Sequence, residues 1–288
     1  MTRAPLGSRT VSRIGFGAMQ LPGPGVLGPP RDRAEAIAVL RRAVELGVDH
    51  IDTAQYYGPD VANELIRESL WPYDAALVLV SKVGARRDAA GGWLQWDSPA
   101  DLRQGIEDNL ASLGIDQLGA VNLRLMGDDA ALEDQLTAMV QARDDGLIAG
   151  VGLSNCSLEQ LNRALEVTEL ACVQNPLNVV DRSSLPVLEA CAARGIAFVP
   201  FFPLGSGFGV DNVRDEPAVV ATAARLGATA SQVALAWLLA LSPNVLLIPG
   251  TSSVAHLEQN LAAGDLVLDD EARAALGKWR RRPVAAPP

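Results

Sequence analysis

Residues 98–125 read SPADLRQGIEDNLASLGIDQLGAVNLRL, and this one segment holds the unit that decides the fold. Ser98 followed by Pro99 is an N-cap and a proline at the first helical position. Apolar residues at helical spacing run to Leu113, and Gly114 stands where the helix should stop. The run Ala120–Leu125 is then nearly continuous apolar sequence, as expected of a strand buried on both faces of a parallel sheet. Outward from this segment the same rhythm repeats. Strands are expected at Ile14–Met19, His50–Ala54, Leu77–Lys82, Ala149–Ser154, Cys172–Asn175, Ala197–Phe201 and Val245–Ile248. Helices are expected at Arg33–Leu46, Asp129–Asp145, Ser157–Val167, Ser183–Arg194, Ala218–Leu226, Ser231–Leu241 and Val254–Ala262. Ser157 with Gln160 fits a capping box. Gly47, Gly146 and Gly195 follow helices as Gly114 does. Eight strands alternating with helices, with no linker between them, describe an α/β chain folded as a (β/α)8 TIM barrel; a doubly wound sheet is the competing arrangement. Residues 1–13 are expected to form a β-hairpin that plugs the N-terminal end. Residues 279–288 read as a flexible tail, so 1–288 is one barrel domain.

Composition narrows the function. The chain has 288 residues, 49% of them hydrophobic, and a formal charge of −10 with a pI near 4.7. That balance argues against a nucleic-acid binder or a protein of anionic membrane surfaces. The longest apolar run, about Val233–Leu241, is far short of the roughly 20 residues a membrane span needs. No secretory leader is visible, and Cys156, Cys172 and Cys191 show no CxxC spacing, so a cytoplasmic protein with reduced thiols is expected. Only two lysines occur, Lys82 and Lys278, against 22 arginines. A lysine inside the run LVLVSK therefore stands out.

In a barrel, chemistry sits at the C-terminal ends of the strands. The second expected strand ends in Asp52-Thr53-Ala54-Gln55-Tyr56-Tyr57-Gly58 and the third in Ser81-Lys82-Val83-Gly84. Asp52 and Lys82 lie in apolar runs, where a charge is costly unless paired. Adjacent strands would set them side by side, with a tyrosine next to Lys82. An ammonium favours the phenolate and should lower the tyrosine pKa toward neutrality, making it a general acid for a carbonyl oxygen. The same pair could also be a structural ion pair.

Five ordered motifs, VSRIGFG (11–17), DTAxxYG (52–58), SKVG (81–84), GLSN (152–155) and IPGTSS (248–253), resemble the aldo-keto reductase family along essentially the whole chain. The resemblance implies an NADPH-dependent carbonyl reductase on a (β/α)8 barrel, working without a metal. Its Asp, Tyr, Lys and His tetrad would fall on Asp52, Tyr57, Lys82 and position 124. Tyr57 is preferred to Tyr56 because it directly precedes Gly58. Position 124 holds arginine, which stays protonated and donates hydrogen bonds but does not shuttle protons. Arg124 could orient a carbonyl, pair with an anionic group such as a phosphate, or form a salt bridge that leaves Tyr57 to work with Lys82 alone.

VNLRLMGD (121–128), VQNPLN (173–178), VPFFPLG (199–205) and LLIPGTSSVAHLEQN (246–260) resemble a bacterial branch of the family that includes pyridoxal reductases. This implies pyridoxal as the leading substrate among small aldehydes and ketones. A natural-product ketoreductase of the same family and a cofactor-sensing binding subunit are the alternatives. The sequence leaves open whether the chain is a monomer or a homo-oligomer.

The resemblance also implies a cofactor site. Ser154, Asn155 and Gln174 would hold the nicotinamide carboxamide, though Asn155 and Gln174 would equally suit strand-end capping. Phe201 would stack on the ring or simply pack in the core. Phe202-Pro203-Leu204-Gly205-Ser206-Gly207 would follow the pyrophosphate. Gly250, Thr251, Ser252, His256, Gln259 and Asn260, where a strand end meets a helix N-terminus, would hold the adenosine 2′-phosphate. His256 and Gly250 stand where many members have arginine and lysine, which weakens the charge argument for NADPH over NADH; NADPH remains the expected cofactor.

Trp93 and Trp96 on a glycine-hinged loop suggest a substrate lid or wall, with surface packing as the alternative. Met19, Gln20, Met126 and Phe208 could complete the pocket. Gly23–Gly28 formally matches GxGxxG, but Pro29-Pro30 follow and no helix opens there, so it reads as a loop. Cys156 beside Asn155 reads as a spectator thiol.

Overall fold

The structure, a computed structural model, describes residues 2–88, 90–127, 131–205 and 212–277. The segment that opened the sequence reading folds as expected. Helix α3 (Pro99–Leu113) follows a capping box in which Ser98 and Asp101 serve each other's backbone N–H groups, and Gly114 ends it at φ +70°. To number the chain in order, a hairpin of β1 (Arg3–Leu6) and β2 (Arg9–Ser12) precedes β3 (Phe16–Gly17), α1 (Arg33–Glu45) and β4 (His50–Asp52). Then come α2 (Val61–Leu70), β5 (Val78–Arg87), β6 (Trp93–Trp96), α3 and β7 (Ala120–Arg124). Helix α4 (Leu132–Asp144), β8 (Val151–Ser154), α5 (Leu158–Val167), β9 (Cys172–Pro176), α6 (Leu185–Ala192) and β10 (Ala197–Phe201) continue the alternation. Helices α7 (Pro217–Leu226), α8 (Ala230–Leu241), α9 (Val254–Ala262) and α10 (Asp270–Gly277) follow.

Strands β3, β4, β5, β7, β8, β9 and β10 pair in parallel in that spatial order. The eighth position, expected as a strand at Val245–Ile248, forms only isolated bridges: Val245 opposite Phe198 and Leu247 opposite Ile14. These bridges close the barrel. Leu246 N donates to Phe198 O at 2.9 Å on one side, and Gly15 N donates to Leu247 O at 2.8 Å on the other. Arg13 reinforces the seam, giving hydrogen bonds to the carbonyls of Val245, Leu239 and Ser242. The chain is thus an α/β, (β/α)8 barrel.

Side chains of a strand alternate between its two faces. Here one set packs under the helices and the other points into the barrel. Near the bottom the inward set is apolar: Val78, Val80, Ala120, Cys172, Ala197, Val199 and Leu246 meet Ala4, Leu6 and Val11 of the β1–β2 hairpin. The hairpin is the expected plug, since it buries its apolar face in the barrel's lower mouth. Two residues further along the same strands the inward positions are Lys82, Gln174 and Phe201. The apolar floor and the polar upper mouth therefore come from one alternation. Close packing inside the barrel needs glycine at position 152, where a Cβ would stand 2.3 Å from Asn122 Oδ1 and 3.0 Å from Cys172 Sγ.

Three expectations are corrected. The first strand ends at Gly17 rather than Met19, because Ala18–Gln20 turn into a 3-10 helix. The glycine-hinged loop after the third strand is a hairpin: β5 runs on to Arg87 and pairs antiparallel with β6, Gly84 opposite Trp96. Helices α2 and α10 were not anticipated. No single helix among the described residues is long and apolar enough to cross a membrane. The expected tail at 279–288 lies outside the described residues.

A buried polar relay fastens two of the helices to the sheet. Thr53 Oγ1 donates to Asn63 Oδ1, Asn63 Nδ2 donates to Asn109 Oδ1 at 3.0 Å, and Ser81 Oγ donates to the same oxygen at 2.6 Å. Asn63 lies on α2 and Asn109 on α3, while Thr53 and Ser81 adjoin Asp52 and Lys82. Replacing Asn109 by alanine strands the Ser81 hydroxyl and one Asn63 donor in a dry interior. Asn109→Ala should lower unfolding stability by about 2–4 kcal/mol, read from urea denaturation.

Candidate active site

The mouth of the barrel holds a cavity of about 430 Å³, and every strand position contributes to its wall. Gly17, Asp52, Lys82, Arg124, Ser154, Gln174, Phe201 and Gly250 line it, one from each successive strand end. The register explains the set. Gly17 stands opposite Asp52, Arg124 opposite Ser154, and Ser154 opposite Gln174.

At its centre Lys82 Nζ is ion-paired with Asp52 Oδ1 and also donates to the Thr53 carbonyl oxygen at 3.0 Å. Both side chains are almost fully buried. The second oxygen of Asp52 accepts from Gln174 Nε2. That bond fixes the orientation of the Gln174 amide at the cavity wall, where its carbonyl oxygen is buried and has no hydrogen-bond partner.

Tyr57 sits over this pair, with Lys82 Nζ 5.0 Å from its ring centre. The expected lowering of the Tyr57 pKa is not found. Burial raises it and the Asp52 carboxylate raises it further, while Arg124 and Arg87 act in the opposite direction. The physical reason is first the burial of the phenol, which disfavours its charged form, and then the nearby Asp52 carboxylate, which also pairs with Lys82. Tyr57 remains a phenol with its proton in place. Tyr56 meets Tyr57 edge to face at 5.4 Å and Trp93 at 5.3 Å, and burial raises its pKa as well.

Arg124 ends β7 with its guanidinium 4.5 Å from the Trp93 ring centre. Among the described residues it forms no salt bridge. Its charge is felt at Tyr56, yet the Tyr56 hydroxyl makes no hydrogen bond of acceptable geometry. Arg87 stacks on the same ring at 3.6 Å and gives its hydrogen bonds to the carbonyls of Gly91 and Gly25.

The other expected residues divide. Met19, Gln20, Asn155, Phe202, Pro203, Leu204 and Gly205 line the cavity, as does Trp93. Trp96 does not. Three residues along a strand from Trp93, it takes the opposite face, beside Arg86 and against Gly105 of α3. Met126 lies beyond the end of β7 and packs on the core instead of the cavity. Ser206, Gly207 and Phe208 fall outside the described residues. Asn155, at φ +66°, donates to the Leu125 carbonyl, so the strand-end role is present beside its place in the cavity wall. Cys156 is buried, and burial pushes its thiol up to about 12, which makes it an inert thiol.

A second cavity of about 460 Å³ shares Met19, Gln20 and Phe202 with the first and extends to Ser252 and Arg31. Its wall includes Gly23, Pro24 and Gly25, so the GxGxxG decoy is a loop that nonetheless shapes the groove. Thr251, His256, Gln259 and Asn260 line neither cavity. Thr251 Oγ1 accepts from Ser253 N, and the first N–H of α9, at Val254, is taken by Glu35. The helix terminus expected to be open to phosphate is therefore partly closed by a carboxylate, and Ser252 is its residue on the groove.

The two cavities adjoin at Met19, Gln20 and Phe202 and together run from Lys82 to Ser252. Sequence reading missed Tyr56 and Arg87 and did not foresee Arg31 on the groove; hairpin pairing, rather than any motif, brings Arg87 to Trp93. No group of three or more His, Cys, Asp and Glu side chains suited to a metal occurs among the described residues.

The model of the Aldo/keto reductase family matches residues 13–280. Pyridoxine 4-dehydrogenase of Escherichia coli is 50% identical over 277 residues, covering 94% of this chain and 96% of that protein. An uncharacterized oxidoreductase of Schizosaccharomyces pombe is 37% identical over 94% of this chain and 87% of its own length. Among solved structures, an aldo/keto reductase from Klebsiella pneumoniae in complex with NADP and acetate superposes with a TM-score of 0.81 at 26% identity, covering 98% of each chain. A thermostable aldo-keto reductase with the inhibitor epalrestat gives 0.82 at 28% identity, covering 96% of this chain and 98% of that one.

The central ion pair yields a stability test. Lys82→Met alone leaves Asp52 as an uncompensated buried charge and should cost about 3–5 kcal/mol. The double variant Asp52→Asn with Lys82→Met should recover part of that loss. A double variant less stable than Lys82→Met, measured by thermal unfolding, would show that the pair is not the source of the cost.

Proposed function

This chain belongs to the aldo/keto reductase family, and we propose that it is an NADPH-dependent reductase of small aldehydes and ketones that converts pyridoxal to pyridoxine. The observation that carries the reading is the buried Asp52–Lys82 pair beneath Tyr57, at the centre of a cavity lined by all eight strand ends. The name of the Escherichia coli relative supports the substrate, and the Klebsiella pneumoniae complex supports the cofactor.

When bound, the reduced nicotinamide supplies a hydride to the carbonyl carbon. Gln174, held by Asp52, would hold the carboxamide together with Ser154 and Asn155, which line the same wall. Phe201 offers its ring to the nicotinamide. The run Phe202–Gly205 follows the cofactor toward Ser252.

Tyr57 donates its proton to the carbonyl oxygen as charge develops there, which is general acid catalysis. Its raised pKa keeps that proton on the phenol before substrate arrives. Lys82 stabilises the tyrosinate that forms, since the ammonium is held under the ring by Asp52 and the Thr53 carbonyl. Solvent returns the proton to Tyr57. Arg124 contacts the substrate rather than relaying the proton, because a guanidinium holds its proton throughout. The reading places the enzyme in the cytoplasm, consistent with three buried free thiols.

Tyr57→Phe should lower kcat for pyridoxal by roughly 10²–10⁴-fold and leave NADPH binding, followed by fluorescence, within about twofold. Because the Tyr57 pKa is raised, wild-type reduction should not decline from neutral to mildly alkaline pH. Full turnover in the phenylalanine variant would remove Tyr57 from the mechanism.

A further inference from the structure

The region beside Tyr57 carries more donor capacity than a neutral carbonyl uses. Lys82 is committed to Asp52 and the Thr53 carbonyl oxygen. Arg87 is tied to two backbone carbonyls. Arg124 borders the cavity and has no carboxylate partner among the described residues, because Asp52 is taken and Asp88 serves the amides of its own turn. Next to it the Tyr56 hydroxyl, on a side chain only 1% exposed, has no hydrogen-bond partner. A buried hydroxyl without a partner is costly and calls for an explanation. Tyr56 packs between Tyr57 and Trp93 and Arg124 acts on its hydroxyl, so the two side chains share one corner of the cavity wall.

We propose that Arg124 and Tyr56 cradle an ionised oxygen carried on the ring carbon next to the reacting carbonyl, so that the site selects ortho-hydroxy aromatic aldehydes. The inference rests on the reductase reading above and specifies its substrate class. One permanent cation plus one neutral O–H complements an oxyanion far better than a second neutral carbonyl. An oxygen on the adjacent ring carbon lies within hydrogen-bond distance of the carbonyl oxygen, and Tyr56 directly adjoins the Tyr57 that must meet that carbonyl. Trp93 in the same wall gives a flat surface for an aromatic ring. Pyridoxal belongs to this class: its 3-hydroxyl neighbours the aldehyde and is ionised at neutral pH. The reaction stays balanced. The carbonyl carbon takes the hydride, its oxygen takes the Tyr57 proton, and the paired phenolate keeps its charge throughout.

The test compares 3-hydroxypyridine-4-carbaldehyde with pyridine-4-carbaldehyde in the wild type and in Arg124→Met. The variant should lose roughly 10²-fold more in kcat/KM on the hydroxy aldehyde than on the plain one. Tyr56→Phe should lose about tenfold with the same selectivity. As a readout free of turnover, at a pH acidic enough that free pyridoxine keeps its 3-hydroxyl proton, pyridoxine bound to the wild type should still show the ultraviolet spectrum of its phenolate, and Arg124→Met should abolish that shift. Should Arg124→Met fail to fold, Arg124→Gln and Tyr56→Phe carry the same comparison. Equal losses on both aldehydes would overturn the proposal, as would a selective loss confined to pyridoxal 5′-phosphate, which would assign Arg124 to a phosphate. A wild type that binds pyridoxine with the spectral shift yet reduces neither aldehyde would instead overturn the reductase reading.

Discussion

The burial of Asp52 against Lys82 is the constraint around which the upper half of the barrel is arranged. Two charges taken out of water are tolerated only when their remaining hydrogen-bonding capacity is met. Gln174 meets the second oxygen of Asp52, and the Thr53 carbonyl meets another proton of Lys82. The consequences spread outward. Gln174 is left with one buried amide oxygen that has no hydrogen-bond partner. Tyr57 is left above a neutralised cation and keeps its proton. Asn63, Asn109 and Ser81 lock the two adjoining strands to α2 and α3 behind the pair.

The same alternation of side chains that builds a stable barrel floor builds the site. Val78 and Val80 precede Lys82, Cys172 precedes Gln174, and Ala197 and Val199 precede Phe201. Lower inward positions meet the β1–β2 hairpin and are apolar. Upper inward positions meet the cavity and are polar or aromatic. Stability and chemistry are therefore separated along the strand axis by two residues, with no separate element devoted to either.

Much of this was legible in the sequence, and what was not has specific physical causes. The strand runs are apolar on both faces and the helices carry strong caps such as Ser98-Pro99 and Ser157, so the barrel could be read directly. Helix α2 lacked such a signal, since its N-cap Asp60 sits at φ +62° and makes no side-chain cap. The eighth strand was legible as an apolar run but forms only bridges. Asp52 and Lys82 are legible because an unexpected charge in an apolar strand end is visible in one dimension, whereas Gln174 and Phe201 come only from the family resemblance. Trp96 was misplaced because a loop was assumed where β5 continues, and strand alternation then turned it away from Trp93. The Tyr57 shift runs against expectation because burial of the phenol and the Asp52 carboxylate outweigh a lysine already paired with that carboxylate. Tyr56 and Arg87 were missed because their roles depend on which neighbours lack partners, a property of the packed structure alone.

The seam between Ile14 and Leu247 joins positions near the two ends of the chain. Contacts of such separation form late, after the entropy of closing a long loop has been met. The cavity draws one wall residue from each strand position, and Gly250 lies just past the seam. Of the eight strand-end wall residues, Gly250 joins the other seven only when this seam is made. Ligand can stabilise only the finished barrel, by mass action on the native state. Cellular supply of cofactor would then protect completed molecules from unfolding and do nothing for those still being made.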